Sequence, residues 1–131
     1  MDRERAELLD LTELRPWDLE VDPQGRPPLR PFSTQDEIIA ICRKIFSAVD
    51  PRFADEFDCL VSRDLLDLMS RPGKAPGGYQ YQLEDERVPF IFANGVGTHH
   101  DVQTLLHEGG HAFHSLLCRH HDLLAFRDYS I

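Results

Sequence analysis

The residues best suited to chemistry lie in one run, LLHEGGHAFH, at positions 105–114. His107 and His111 are four residues apart, so on an α-helix they lie about 40° apart in projection and roughly 6 Å apart along the axis. Their imidazoles can therefore converge on one zinc ion, which accepts neutral imidazole nitrogen. Glu108 projects about 100° from His107, which suits contact with a water on the metal's open side rather than ligation. The spacing predicts a zinc hydrolase with Glu108 as general base.

Other potential ligands lie close by, because all seven histidines of the chain fall between positions 99 and 121. Clustered histidines are typical of metal or proton chemistry. His114 falls on the ligand face one turn beyond His111, where it could contact substrate or be a structural histidine. Cys118 projects near that face but about 10 Å along the axis from His111, too far to share the ion. The alternative for the whole motif is a polar helix face with solvated histidines.

The helix that must carry this motif is marked by its own signals. Residues 98–101, THHD, form a capping box, and apolar spacing continues to about Leu117. We expect one helix over Thr98–Leu117, with its buried side formed by Val102, Leu105, Leu106, Gly109, Ala112, Phe113, Leu116 and Leu117. Two adjacent glycines cost a helix roughly 1 kcal/mol each, so Gly109 and Gly110 predict tight packing against another element.

Two short strands are predicted between residues 77 and 94, just before that helix. Gly77 and Gly78 allow positive φ or a close backbone approach, and a period-two alternation begins at Tyr79. The second strand is VPFIFA, 88–93, in which successive side chains face opposite sides of the sheet. The Asn-Gly pair at 94–95 ends it.

The preceding half of the chain reads as helical. A short helix is expected over residues 2–14, and residues 33–36, STQD, form a capping box that opens an amphipathic helix to about Val49. Pro51 ends it, and a further helical stretch is expected to about Met69. Five prolines prevent a long helix over residues 16–32. A linker is one interpretation, but we expect an ordered surface segment anchored by Trp17, Leu19, Val21, Leu29 and Phe32.

Composition limits the class of protein. A length of 131 residues suits one domain or part of one, and a net charge of −9 argues against a nucleic-acid surface. Three cysteines without metal-type spacing fit a reducing compartment. The charged N-terminus lacks the apolar core of a signal peptide, and no run is long and apolar enough to span a membrane. We expect a cytoplasmic protein.

Three stretches together resemble one family: RPGKAPGGY (71–79), VPFIFAN (88–94) and DVQTLLHEGGHAFHS (101–115). They are similar to the oligoendopeptidase F branch of the thimet-oligopeptidase-like zinc metallopeptidases. The resemblance implies a mainly α fold with a small β element, in which residues 1–131 are part of a zincin-like catalytic domain around a deep channel. It implies cleavage of short peptides, with His107 and His111 as zinc ligands and Glu108 as the catalytic glutamate.

The resemblance also implies where substrate binds. The strand Val88–Asn94 matches the family's segment beside the active site, where a substrate backbone can add as an extra strand. The glycine-rich stretch is a second candidate. The substrate-binding residues so indicated are Gly77, Gly78, Tyr79, Phe92, Ala93 and Asn94, with His114 beside them.

The sequence departs from the family at the third zinc ligand, a glutamate on a second helix roughly two dozen residues past the second histidine. Ile131 lies only 20 residues past His111 (131 − 111), so we expect that glutamate beyond Ile131, in the remainder of the catalytic domain. Asp122 and Asp128 are the only carboxylates after His111 and are the alternative ligands. A fragment of this kind should leave part of the Leu105, Phe113 and Leu116 side uncovered.

Two other functions remain open at this point. The chain could be a non-catalytic fragment that binds metal through its histidines. It could also be a hydrolase with the same histidine–glutamate motif that acts on a non-peptide substrate. The strand 88–94 favours a peptide, since an exposed strand suits an extended backbone.

Overall fold

The computed structural model describes residues 2–127. It has four α-helices, three strands and two short 3-10 turns. The helices are α1 (Asp2–Leu8), α2 (Gln35–Val49), α3 (Pro51–Ser62) and α4 (His99–Cys118), and the 3-10 turns are Pro16–Glu20 and Leu124–Phe126. The strands are β1 (Leu66–Met69), β2 (Tyr79–Leu83) and β3 (Val88–Gly95). The predicted class, mainly α with a small β element, is confirmed.

The core lies between the sheet and helices α2, α3 and α4. Three phenylalanines, one from each helix, meet at its centre. The ring of Phe46 lies 5.1 Å from that of Phe57 and 4.8 Å from that of Phe113, centroid to centroid, in tilted and edge-on arrangements that aromatic pairs prefer. This cluster packs against the side of α4 that carries Phe113, so the opposite side of α4 faces away from these rings.

Helix starts follow the capping signals. Thr98 caps α4 as predicted: its hydroxyl accepts from the Asp101 N–H, and the Asp101 carboxylate accepts from the Thr98 N–H. In α2 the capping box lies one residue later than predicted, because Thr34 and Glu37 form it rather than Ser33 and Asp36. Each box satisfies backbone donors that a helix start leaves unpaired.

The helix predicted to reach Met69 is wrong in its last part. Helix α3 ends at Ser62, and Leu66–Met69 is strand β1, which pairs in parallel with β3. Asp64 has φ of 56°, a left-handed conformation that stops the helix. A short apolar run fits either a buried strand or a helix, so the sequence pattern could not separate the two.

The N-terminal segment is ordered differently from the prediction. Helix α1 ends at Leu8 rather than near residue 14. Of the expected anchors only Phe32 is buried, whereas Trp17 is 64% exposed and Leu29 is 76% exposed. The guanidinium of Arg5 instead ties the segment down by donating to backbone carbonyls of the first 3-10 turn and of the residue after it.

The order of the strands in the sheet determines which strand has an unpaired edge. The sheet order is β1-β3-β2, so β3 lies in the middle: its residues 88–92 pair with β2, and Ile91, Phe92 and Gly95 pair with β1. Neither side of Val88–Asn94 is free along its whole length, so the fold does not favour this strand for the expected addition of a substrate backbone. Within residues 2–127 the open edge near α4 belongs to β2, and we call its unpaired side the outer edge of β2.

Side chains of β3 alternate as predicted. Ile91 and Ala93 are buried on the face that packs against α4, while Phe90 and Phe92 are half-buried on the other face. In β2 the same alternation leaves Tyr79 and Tyr81 exposed and Gln80 directed to α4, where its amide donates to the Ser115 hydroxyl at 3.2 Å.

The apolar side of α4 is covered more fully than expected. Leu105, Phe113 and Leu116 are 0%, 5% and 4% exposed, so the predicted gap on that side is not present. Leu117 was expected in the core but is 61% exposed. None of the helices within residues 2–127 is long and apolar enough to cross a membrane.

The two glycines of the motif have different surroundings. A Cβ on Gly109 would lie 2.6 Å from Cζ of Phe46, so any larger residue there requires the Phe46 ring to shift. A Cβ on Gly110 would meet nothing within 4 Å. The predicted close packing is confirmed for Gly109 and wrong for Gly110.

This difference predicts opposite results for one chemical change. Gly109→Ala should lower the free energy of unfolding by about 1–3 kcal/mol, because Phe46 is held by two other rings and cannot move aside without strain. Gly110→Ala should be neutral or raise it by about 1 kcal/mol, through helix propensity alone. Urea unfolding of both variants checks the pair, and equal effects would contradict the packing at Gly109.

Candidate active site

Helix α4 places the two motif histidines side by side, as predicted. Nε2 of His107 lies 3.1 Å from Nε2 of His111, and their ring planes are nearly perpendicular. Two nitrogens bound to one tetrahedral zinc at about 2.05 Å lie about 3.3 Å apart. The pair therefore fits two ligands of a single zinc ion without rearrangement of the helix.

Glu108 stands at the side of this pair, in a cleft. The cleft is lined by Gly78, His100, Gln103, Thr104, His107 and Glu108. Glu108 is half-buried and His107 is exposed. A carboxylate in that place can reach a water or a substrate in the cleft without competing with the imidazoles for a metal. This is the arrangement that a general base requires.

The wall opposite α4 is formed by the glycine-rich stretch. A Cβ on Gly78 would lie 3.0 Å from Cγ2 of Thr104, so Gly78 allows the strand to approach the helix closely. Gly77 has φ of 102°, a conformation that favours glycine. The side-chain amide of Asn94 donates to the carbonyls of Ala75 at 2.7 Å and Gly77 at 2.8 Å, which holds the stretch in place.

Strand β2 runs beside the part of α4 that carries the motif. Gly78, just before β2, lies against Thr104, and Gln80 reaches Ser115. His107 and His111 lie between those two contacts along α4. Within residues 2–127, β2 is therefore the strand with an unpaired edge that lies nearest to the motif.

The other residues predicted to bind substrate make contacts with their neighbours in the fold or lie in its core. Phe92 stacks on Tyr79, with centroids 4.9 Å apart and ring planes 13° apart, and Ala93 is only 8% exposed in the core. Asn94 acts on the glycine-rich stretch. His114 is exposed, and its Nε2 lies 3.8 Å from Sγ of Cys118.

Some residues near the site were missed by the sequence reasoning. Thr104 precedes His107 by three residues, so helical spacing would have placed it on the same face. Lys74 is the larger omission. Its side chain is 1% exposed and its Nζ donates to the carbonyls of Asp67, Met69 and Ala93. The sequence offers only its position before the glycines as a signal.

At the start of α4, hydrogen bonds stabilise the charged form of the Asp101 carboxyl group. Burial opposes ionisation of Asp101, yet backbone N–H donors of Thr98 and Val96 hold the pKa of its carboxyl below the usual range. Its oxygen Oδ2 accepts from those donors at 2.7 Å and 3.0 Å. Asp101 is therefore occupied in capping the helix and is not available as a base.

A complete metal site is not found in the described part of the chain. Residues 2–127 hold no group of three or more His, Cys, Asp or Glu side chains arranged to hold a metal ion. Asp122 lies 3.6 Å from Arg87 instead of beside the histidines, and its side chain is 95% exposed. Asp128, the other alternative ligand, lies outside the described residues.

The fold is similar to solved peptidase structures. PZ peptidase A, solved with an inhibitor, superposes with a TM-score of 0.84 at 31% identity over 96% of this chain and 22% of its own. A structure described as an oligoendopeptidase F gives 0.81 at 32% identity over 93% and 21%. Another so described, from Bacillus anthracis str. Ames, gives 0.84 at 28% identity over 96% and 23%. The chain thus spans about a fifth of the proteins that it resembles.

The sequence itself points to the same group. None of the curated proteins matches it. The model of peptidase family M3, in contrast, matches residues 1–131, from the first residue to the last. This chain belongs to peptidase family M3.

Proposed function

We propose that this chain carries two zinc ligands and the general base of a zinc-dependent oligoendopeptidase that hydrolyses short peptides. The observation that supports this most is the 3.1 Å separation of the His107 and His111 Nε2 atoms, with Glu108 in the adjoining cleft. The third ligand comes from outside residues 2–127, and we expect it beyond Ile131. Free cysteines support a cytoplasmic location.

The chemistry follows from what each residue can hold or move. When bound, zinc would supply Lewis acidity at the carbonyl to be attacked. Glu108 takes a proton from the attacking water and returns it to the leaving amine. His107 and His111 would serve as neutral imidazole ligands of the metal.

The substrate class follows from the open strand. A short extended peptide can pair with the outer edge of β2 and so lie along α4 beside the motif. The β2 edge replaces the Val88–Asn94 strand in this role, because β3 is already paired on both sides. A folded protein does not supply such a free backbone, which favours short peptides as substrates.

A second candidate is a metal-binding fragment without catalysis. It is favoured by the ligand count, since residues 2–127 hold no group of three or more side chains arranged to bind a metal ion. A hydrolase of a non-peptide substrate has less support, because the family and the neighbouring structures are peptidases.

Zinc titration tests the proposal. Residues 1–131 alone should bind zinc weakly and cleave a quenched fluorescent peptide near background, whereas the full-length protein should do both well, because catalytic zinc needs three protein ligands. His107→Ala or His111→Ala should abolish tight binding by the full-length protein. His121→Ala, an exposed histidine away from the cleft, is the control.

Two outcomes would contradict this. Tight stoichiometric zinc and strong cleavage by residues 1–131 alone would make Asp122 or Asp128 the ligand to test. Tight zinc without any cleavage by the full-length protein would favour the non-catalytic candidate.

A further inference from the structure

A peptide paired with the outer edge of β2 would contact side chains as well as backbone groups, because aromatic rings cover one face of the sheet beside this edge. The register pairs Tyr79 with Phe92 and Tyr81 with Phe90, so four rings lie on the face turned away from α4. We call these four residues the aromatic face. Tyr79 is 48% and Tyr81 62% exposed, and both belong to the strand with the open edge.

Contacts with neighbouring side chains hold the rings of the aromatic face in place. Tyr79 stacks flat on Phe92, and the Lys74 ammonium lies 4.4 Å from the centre of the Phe92 ring. Because the Lys74 side chain is 1% exposed, its charge is not presented at the surface. The exposed part of the face is therefore an apolar, ordered surface that would contact the side chains of a neighbouring strand.

An extended peptide paired with β2 meets this surface at every second residue. Directly opposed side chains on neighbouring strands have Cβ atoms about 4.5–5.5 Å apart. Peptide residues opposite Tyr79 and Tyr81 would lie on the aromatic face, and the one residue between them would lie on the side of Gln80. Gly78, just before β2, lines the cleft that also holds Glu108, so a peptide paired with β2 would lie beside that cleft.

We propose that Tyr79 and Tyr81 determine specificity: they select aromatic or large aliphatic side chains at two substrate positions that are two residues apart. The proposal rests on the proposed function for its substrate, but it concerns recognition and not the chemical step. The intervening position, which lies on the side of Gln80, has no apolar selection.

Peptide libraries with one position varied at a time test the selection in the metal-loaded full-length protein. The wild-type protein should prefer Phe, Tyr or Leu over Gly by about five-fold at each of the two positions. Tyr81→Ser should remove that preference at one position and leave the other. Tyr81→Phe should keep it, because the ring and not the hydroxyl makes the contact. Trp17→Ser is the matched control, since Trp17 is 64% exposed but lies outside the sheet.

A binding measurement separates this inference from the proposed function. Blocked tripeptides with aromatic or glycine residues at the outer positions are titrated into the Glu108→Gln protein, with and without Tyr81→Ser. Aromatic-dependent binding that Tyr81→Ser weakens supports the inference even if the wild-type protein cleaves no peptide, in which case only the proposed function fails. Equal binding of aromatic and glycine peptides, no binding at all, or a cleavage preference unchanged in Tyr81→Ser would overturn it.

Discussion

Glu108→Gln should lower kcat for peptide hydrolysis by about two to four orders of magnitude and leave zinc affinity unchanged. The amide has the size of the carboxylate but cannot accept the proton of the attacking water. Glu108 lines the cleft beside His107 and projects about 100° from it on the helix, so we expect the change to remove no metal ligand. Hydrolysis of a quenched fluorescent peptide and zinc titration, both on the full-length protein, measure the two effects separately.

The matched control for this experiment is Glu86→Gln, the same change at an exposed residue in the turn between β2 and β3. It should alter neither kcat nor zinc affinity. Full peptidase activity in Glu108→Gln would show that another group is the base. A parallel loss of zinc would instead show that the glutamate helps to hold the metal.

Lys74→Met should lower the free energy of unfolding by about 2–4 kcal/mol, because it leaves buried carbonyls without a donor. Nζ of Lys74 donates to the carbonyls of Asp67 at 3.0 Å and of Met69 at 2.9 Å, and also to that of Ala93. These carbonyls belong to β1 and β3, so one ammonium joins two strands to the glycine-rich stretch. Methionine fills the space but donates nothing.

The Asp67 carboxylate keeps a partner in this variant, which limits the loss. Arg71 first, and Lys74 with it, hold the pKa of Asp67 at about 2, and Arg71 remains. Lys44→Met, at an exposed lysine on α2, is the control and should change stability little. Urea unfolding measures both variants, and a Lys74→Met protein as stable as wild type would show that water replaces the ammonium.

Local sequence patterns were sufficient to predict helix α4. The capping box at Thr98, the apolar spacing and the four-residue interval between His107 and His111 all act within a few turns of one helix. Side-chain geometry on a helix depends on sequence separation alone, so the convergence of the two imidazoles could be predicted without knowing the fold. The family resemblance came from the same residues and their neighbours, and membership of peptidase family M3 agrees with it.

Local sequence patterns gave wrong predictions where the structure depends on contacts between residues that are distant in sequence. Leu66–Met69 carries an apolar pattern that suits a helix or a strand, and pairing with β3 decided for the strand. The same pairing put β3 in the middle of the sheet and moved the open edge to β2, although Val88–Asn94 has the stronger strand pattern. Strand order is set by contacts between residues far apart in sequence, which no local period encodes.

The tertiary structure alone also decided what supports the site. Lys74 and Asn94 look like ordinary polar residues in the sequence, yet one is buried under the sheet and the other pins the glycine-rich stretch. The sequence by itself determined the placement of His107 and His111 on α4, because side-chain positions on a helix follow from sequence separation. Which strand and which aromatic rings stand beside that chemistry depended on how β1, β2 and β3 pack together, since burial and pairing are properties of the whole fold.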